Sequence, residues 1–165
     1  MANRDIDITI GYESLYDEIG KVTGYTGAKA SEDGSLYHAL ATQDEDAELL
    51  HSFVLDAEES VAESLYIYLA DSNYEEGIRY TLRMPTNWHR CEEELRKAIF
   101  WYMVYYAAMR WFRTVGGEVG IANEEKYKAD CTEKLDDVRR FVNRRSRPVN
   151  PHRPAVFDQD GLLKA

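Results

Sequence analysis

The groups in this chain able to do chemistry are carboxylates, arginines and a few sulfur and imidazole side chains. Glu58, Glu59 and Glu63 stand at EExxxE spacing, with Glu92-Glu93-Glu94 and Asp136-Asp137 further along. Carboxylates converging from two helices would hold magnesium through oxygen ligands, and the chemistry would be metal-assisted hydrolysis of a phosphoanhydride. His89-Arg90-Cys91, with the distant Cys131, raises a second possibility, a zinc site. Structural zinc wants four nitrogen or sulfur ligands, and His38, His51 and His152 lie in unrelated contexts.

The magnesium reading would make the chain an all-α nucleotide pyrophosphohydrolase, which needs EExxE on one helix and an acidic pair on another. Here the first acidic run is one residue too long, Glu92-Glu93-Glu94 lacks the following acid, and Asp136-Asp137 lacks companions. A solvated acidic helix face accounts for these residues better. Gly116-Gly117-Glu118-Val119-Gly120 lacks the GK[ST] ending of a phosphate loop, and neither GxSxG nor HExxH occurs. The expectation is therefore no catalytic residue, no metal, no cofactor and no enzyme.

The remaining chemistry is charge. The chain carries 165 residues and a net charge of -10, but residues 1–78 hold 18 acids against Arg4, Lys21 and Lys29. Residues 79–137 balance at zero, and residues 138–157 hold Arg139, Arg140, Arg144, Arg145, Arg147 and Arg153 with no acid. The acidic total excludes a general nucleic-acid coat, which needs clustered cations. The arginine run admits three readings: cations that suit a helix C-terminus, a nucleic-acid patch, or docking onto an acidic partner surface. Charge segregated end to end speaks about association rather than fold.

Elements must position these groups. Ile6, Ile8 and Ile10 alternate with Asp5, Asp7 and Thr9, which predicts a short strand or arm over 1–10. A short helix follows around Ser14 to Ile19, and Gly20, Gly24, Gly27 and Gly34 punctuate a loop. Thr42-Gln43-Asp44-Glu45 fits a capping box, and Leu50, Phe53, Ala57, Val61, Leu65 and Tyr68 continue a helical stripe, giving a helix over 42–71. Ile78, Tyr80, Leu82 and Met84 alternate with Arg79, Thr81 and Arg83, the clearest strand in the chain, to be paired with 5–10 or with another subunit.

Thr86 or Asn87 would cap a second long helix over 88–115, whose middle, from Phe100 to Met109, is apolar nearly all round. Such a helix is buried on several sides, as the centre of a bundle or partly at a subunit contact. Gly116, Gly117 and Gly120 break it, and a last helix spans 123–145. Pro148, Pro151 and Pro154 then force an extended, polyproline-like arm over 148–165. The fold class expected is mainly α: three to four helices with a short β element over 1–147, one domain, and an extended C-terminal arm.

The longest uncharged stretch in a hydrophobic segment, Ala98 to Met109, is twelve residues, short of the about 20 that span a bilayer. The N-terminus lacks the features of a signal peptide, and Cys91 and Cys131 read as reduced thiols in a helical core. A soluble protein made in a reducing cytoplasm and not bound to membrane is expected.

The second half, 85–157, carries Tyr105-Tyr106-Ala107-Ala108-Met109-Arg110-Trp111-Phe112, a glycine break, then Arg139-Arg140-Phe141-Val142-Asn143-Arg144-Arg145 and Arg147-Pro148-Val149. It resembles head–tail connector (adaptor) proteins of tailed bacteriophages, a likeness of pattern over about 70 residues. The resemblance implies a structural virion protein at the head–tail interface, made in the cytoplasm of the bacterial host. It implies a ring, usually of twelve copies, between portal and tail, with a C-terminal arm that docks on portal or neighbour. Other neck or tail-completion proteins are the near alternative, and a small host adaptor module a further one. On this reading Arg139, Arg140, Arg144, Arg145, Arg147, Arg153 and Phe157 bind the partner. Tyr105, Trp111, Phe112, Ile78, Tyr80 and Leu82 lie at subunit contacts. The acidic front faces passing DNA without binding it.

Overall fold

A computed structural model describes residues 3–30, 41–42 and 46–146. Among them are three strands and four helices: β1 (Asn3–Ile10), α1 (Tyr12–Ala30), α2 (Ala47–Leu65), β2 (Leu69–Asn73), β3 (Ile78–Pro85), α3 (Glu92–Val115) and α4 (Gly117–Val142). The chain is mainly helical with a small antiparallel sheet, as its patterning predicts.

The sheet order is β1-β3-β2. Ile6, Ile8 and Ile10 stand opposite Leu82, Tyr80 and Ile78, so both apolar alternations meet on one face, and all six are buried. The other face is wet. There Asp7 accepts hydrogen bonds from Arg79 at 2.7 Å and Thr81 at 2.7 Å, and Asp5 pairs with Arg83 at 3.2 Å. These opposite charges lie directly or diagonally across the strand pair, where they stabilise the register. β3 has a neighbour on each side, so its pairing is complete within the chain. Ile78, Tyr80 and Leu82 are fully enclosed in the chain's own core, which corrects their assignment to a subunit contact.

Two boundaries differ from the pattern reading for a shared reason: tertiary pairing overrides local propensity. The stripe predicts a helix to residue 71, yet α2 ends at Leu65, and Leu69–Asn73 form β2 against the open edge of β3. The Arg83 N–H donates to the Tyr68 carbonyl at 2.7 Å, which begins that pairing. At the other long helix, α3 begins at Glu92 rather than Trp88. Residues 87–89 pair with 144–146 instead: the His89 N–H donates to the Arg144 carbonyl and the Ser146 N–H to the Asn87 carbonyl. Neither Thr86 nor Asn87 caps the helix, since Cys91 holds the N-cap position.

The expected glycine loop is mostly helix. α1 runs through Gly20, Gly24 and Gly27, which share one face, and Gly24 and Gly27 are buried there. Small residues on that face allow close approach. A Cβ on Gly20 would lie 3.6 Å from the Thr42 hydroxyl, and the Thr42 N–H donates to Thr23 Oγ1. Thr42 is thus packed on α1, four residues ahead of the α2 N-cap at Asp46. Gly34 and the 43–45 part of the expected capping box lie outside the described residues.

Gly116 and Gly117, both at positive φ (68° and 69°), turn the chain from α3 into α4. Gly120 does not break the helix. It sits inside α4, where a Cβ would fall 2.7 Å from the Phe112 carbonyl oxygen, so glycine sets how closely the two helices meet. The apolar middle of α3 is buried against α1, α2 and α4 of the same chain.

Candidate functional site

The acids that could have formed a metal site are committed elsewhere. Glu92 pairs with Arg4 at 2.8 Å, Glu93 with Arg96 at 2.7 Å, and Glu94 with Arg144 at 3.3 Å. Asp136 pairs with Arg139, and Asp137 with Arg140 and Lys134. The Arg96 guanidinium holds the Glu93 carboxyl down at about 2. Glu59 and Glu63 face solvent, whereas Glu58 points inward. Among the described residues no three His, Cys, Asp or Glu side chains gather into a set that could hold a metal ion. Cys91 and Cys131 are separately buried; burial pushes the Cys131 thiol up to about 12, far from a ready nucleophile.

Glu58 is the residue that the pattern reading places wrongly. It is 8 % exposed and accepts a hydrogen bond from the Tyr74 hydroxyl at 2.7 Å. The buried Tyr80 hydroxyl stands beside it without a well-formed hydrogen bond, and burial, then the Glu58 charge, push its phenol up. Tyr12 adds a hydrogen bond to the Tyr74 carbonyl, and Tyr16 shares one with His51. The spacing did carry a signal: Glu58 falls on the stripe Val54, Val61, Leu65. This cluster ties α1, α2 and the β2–β3 connection together.

Of the residues expected at subunit contacts, Phe112 is fully buried and stacks on Tyr127 at 5.6 Å, and Trp111 is 9 % exposed. Both belong to the α3–α4 packing, which corrects that assignment. Tyr105 differs. It is half-buried, stacks on Tyr127 at 6.0 Å, leans on Trp101 at 5.4 Å, and lines an open groove of about 430 Å³ between α1, α3 and α4.

The arginines gather at the opposite end of the α3–α4 hairpin. Arg139, Arg140 and Arg144 are exposed, each held by a single carboxylate. Exposed pairs of this kind contribute under about 1 kcal/mol each, so a partner's carboxylates can compete for them. Arg145 serves the fold: it donates to the Tyr68 hydroxyl at 2.6 Å and to the Val142 carbonyl, and lies 5.4 Å from the Tyr68 ring. Arg147, Arg153 and Phe157 lie outside the described residues.

Sequence reasoning missed two neighbours of this end. Tyr66 and Ile67, in the turn after α2, are 69 % and 70 % exposed, the two most exposed large apolar side chains described. They immediately precede Tyr68, whose hydroxyl bonds Asn143 and Arg145. The pattern reading placed both inside a longer helix, off its apolar stripe; α2 ends at Leu65, and the turn after it carries them. Exposed apolar side chains and weakly held arginines are the kinds of group from which a docking surface is built. No known protein family, curated protein or solved structure matches this chain.

Proposed function

We propose that this chain is a structural subunit of a multiprotein assembly, a head–tail connector of a tailed bacteriophage, that docks by its arginine-bearing end. The docking role is supported by two exposed features: the Tyr66-Ile67 pair, next in sequence to Tyr68, which bonds Asn143 and Arg145, and Arg139, Arg140 and Arg144 at the end of α4. The phage identity rests on the sequence pattern of 85–157. The partner surface is acidic with an apolar spot, as on a portal ring or on the acid-rich front of a neighbouring copy. A contact between two different patches closes into a ring when the rotation permits. The exposed acids of the first half, Glu48, Glu59, Glu63, Glu75 and Glu76 among them, suit a wall that repels passing DNA.

The test is charge reversal together with an apolar knock-out. The triple variant Arg139→Glu, Arg140→Glu, Arg144→Glu and, separately, Ile67→Asp are mixed with the portal ring of the phage that encodes the chain. Each variant loses portal binding by at least about tenfold, equivalent to about 1.4 kcal/mol, with unchanged circular dichroism. The wild-type contact weakens as salt rises. Undiminished binding by both variants would overturn the proposal.

A further inference from the structure

The outer edge of β1 is open. β3 lies on its inner side, and no other described strand, turn or loop pairs with its backbone. Asn3, Arg4, Asp5, Asp7 and Thr9 are all exposed. The phase of the ladder says which peptide groups are left over. Arg83 donates its N–H to the Tyr68 carbonyl, toward β2, and Thr81 and Arg79 stand opposite Asp71 and Asn73 of β2. Successive residues of a strand turn their peptide groups to opposite sides, so Ile78, Tyr80, Leu82 and Met84 face β1. Their partners Ile10, Ile8, Ile6 and Arg4 are therefore bonded to β3. Asn3, Asp5, Asp7 and Thr9 present their N–H and C=O groups outward.

Sheets protect free edges with short strands, bulges or proline. β2, at the far edge, is five residues long and irregular between Leu69 and Asp71. β1 instead runs eight residues in unbroken register, without proline, glycine or bulge. What it carries is negative charge. Asp5 and Asp7 line the wet face, and among the described residues each is met from the β3 side alone, by Arg83 at 3.2 Å and by Arg79 at 2.7 Å. A carboxylate has about four acceptor positions, so a cation arriving on the outer side finds lone pairs to accept it.

We propose that the outer edge of β1 receives an extended segment of a different protein as a fourth strand, with Lys or Arg at every second position facing Asp5 and Asp7. β3 shows the chemistry: Arg79, Thr81 and Arg83 alternate with apolar residues and meet the same two aspartates from the inner side. A matching strand outside completes a row of cation, carboxylate, cation. Backbone bonds supply the affinity of an added strand, and alternate side chains its selectivity. A second β1 is a poor occupant. Antiparallel registers that keep like faces together over most of the strand set Asp5 against Asp7, or Asp7 against itself, and like charges directly opposite destabilise. Nor does the segment 147–154 serve, since its three prolines donate no ladder bond. The edge thus selects a partner opposite in charge to the one drawn to Arg139, Arg140 and Arg144.

The test follows amide hydrogen exchange in the full-length chain labelled with 15N. In the free protein the N–H groups of Asp5, Asp7 and Thr9 exchange faster than those of Ile6, Ile8 and Ile10, which are bonded to β3. The probe is an end-blocked seven-residue peptide alternating arginine and valine. At saturation it slows the outward set and leaves the inward set as it was. A glutamate–valine peptide of the same length, and the arginine peptide N-methylated along its backbone, each bind at least about tenfold more weakly. The double variant Asp5→Asn, Asp7→Asn loses the arginine peptide by a similar factor. Equal binding of the glutamate or the N-methylated peptide would overturn the proposal, as would outward amides that stay fast throughout. So would outward amides already slowed in the free chain as protein concentration rises and the mass doubles, since a second copy would then cover the edge. The Arg139→Glu, Arg140→Glu, Arg144→Glu variant binds the peptide as the wild type does, so this edge and the arginine-bearing end fail on separate readouts.

Discussion

At the scale of single residues, the partners of a carboxylate decide what it can do. Glu58 was legible as an acid but not as a buried one, because the pattern reading gave it to the solvated face. Its neighbours in space, Tyr74 and Tyr80, are 16 and 22 residues downstream, across a turn that no local spacing announces. Its consequence is an unequal pair of substitutions. Tyr74→Phe removes the donor to Glu58 at 2.7 Å and leaves a buried carboxylate oxygen short of a partner, which costs about 1–3 kcal/mol. Tyr80→Phe removes a hydroxyl that makes no well-formed bond and costs less than about 1 kcal/mol. Urea denaturation of both variants checks the order; equal losses would contradict the assignment. Glu93 gives a pH-dependent counterpart. Arg96 holds it at about 2 against an ordinary value of 4.5, so the pairing is present above pH 4.5 and lost as pH falls toward 2. Following the carboxyl by NMR, Arg96→Gln returns the midpoint toward 4.5.

At the scale of elements, alternation and helical stripes located β1, β3 and the bodies of α2, α3 and α4. The misread parts are boundaries set by non-local pairing. Tyr66 through Asp71 leave the expected helix because Leu69–Asn73 pair with the edge of β3. Trp88 leaves α3 because 144–146 pairs beside it, and its indole N–H donates to the Phe141 carbonyl at 2.9 Å. Glycine was read as a breaker at Gly24, Gly27 and Gly120, where it serves close packing. Gly120→Ala drives a methyl against the Phe112 carbonyl and lowers stability by about 1–3 kcal/mol, measurable by thermal denaturation; no loss would show that the α3–α4 contact is looser than described. Shortening the chain separates arm from fold. Ending after Ser146 leaves the melting temperature unchanged. Ending after Asn143 removes the strand bridge and the Arg145 contacts with Tyr68, at about 1 kcal/mol per hydrogen bond lost.

At the scale of the whole molecule, net charge alone suggested only an acidic protein. Segment counts exposed its polarity, and the fold locates part of it: Arg139, Arg140 and Arg144 occupy one end of the α3–α4 hairpin. The arginine run itself was legible in sequence. Which arginines are available was not, because Arg145 is taken up by Tyr68 through a contact 77 residues apart. The aromatic run of α3 was likewise legible as buried, but its division was not. Phe112 and Trp111 pack inside, whereas Trp101 and Tyr105 open onto a groove, since α4 covers only one flank. The central claim is that this chain assembles by its arginine-bearing end. Native mass spectrometry of the full chain with the cognate portal ring tests it most directly. The account predicts stoichiometric addition of connector copies to the ring, abolished by the Arg139→Glu, Arg140→Glu, Arg144→Glu variant. Persistent monomers beside an unmodified portal ring would contradict it.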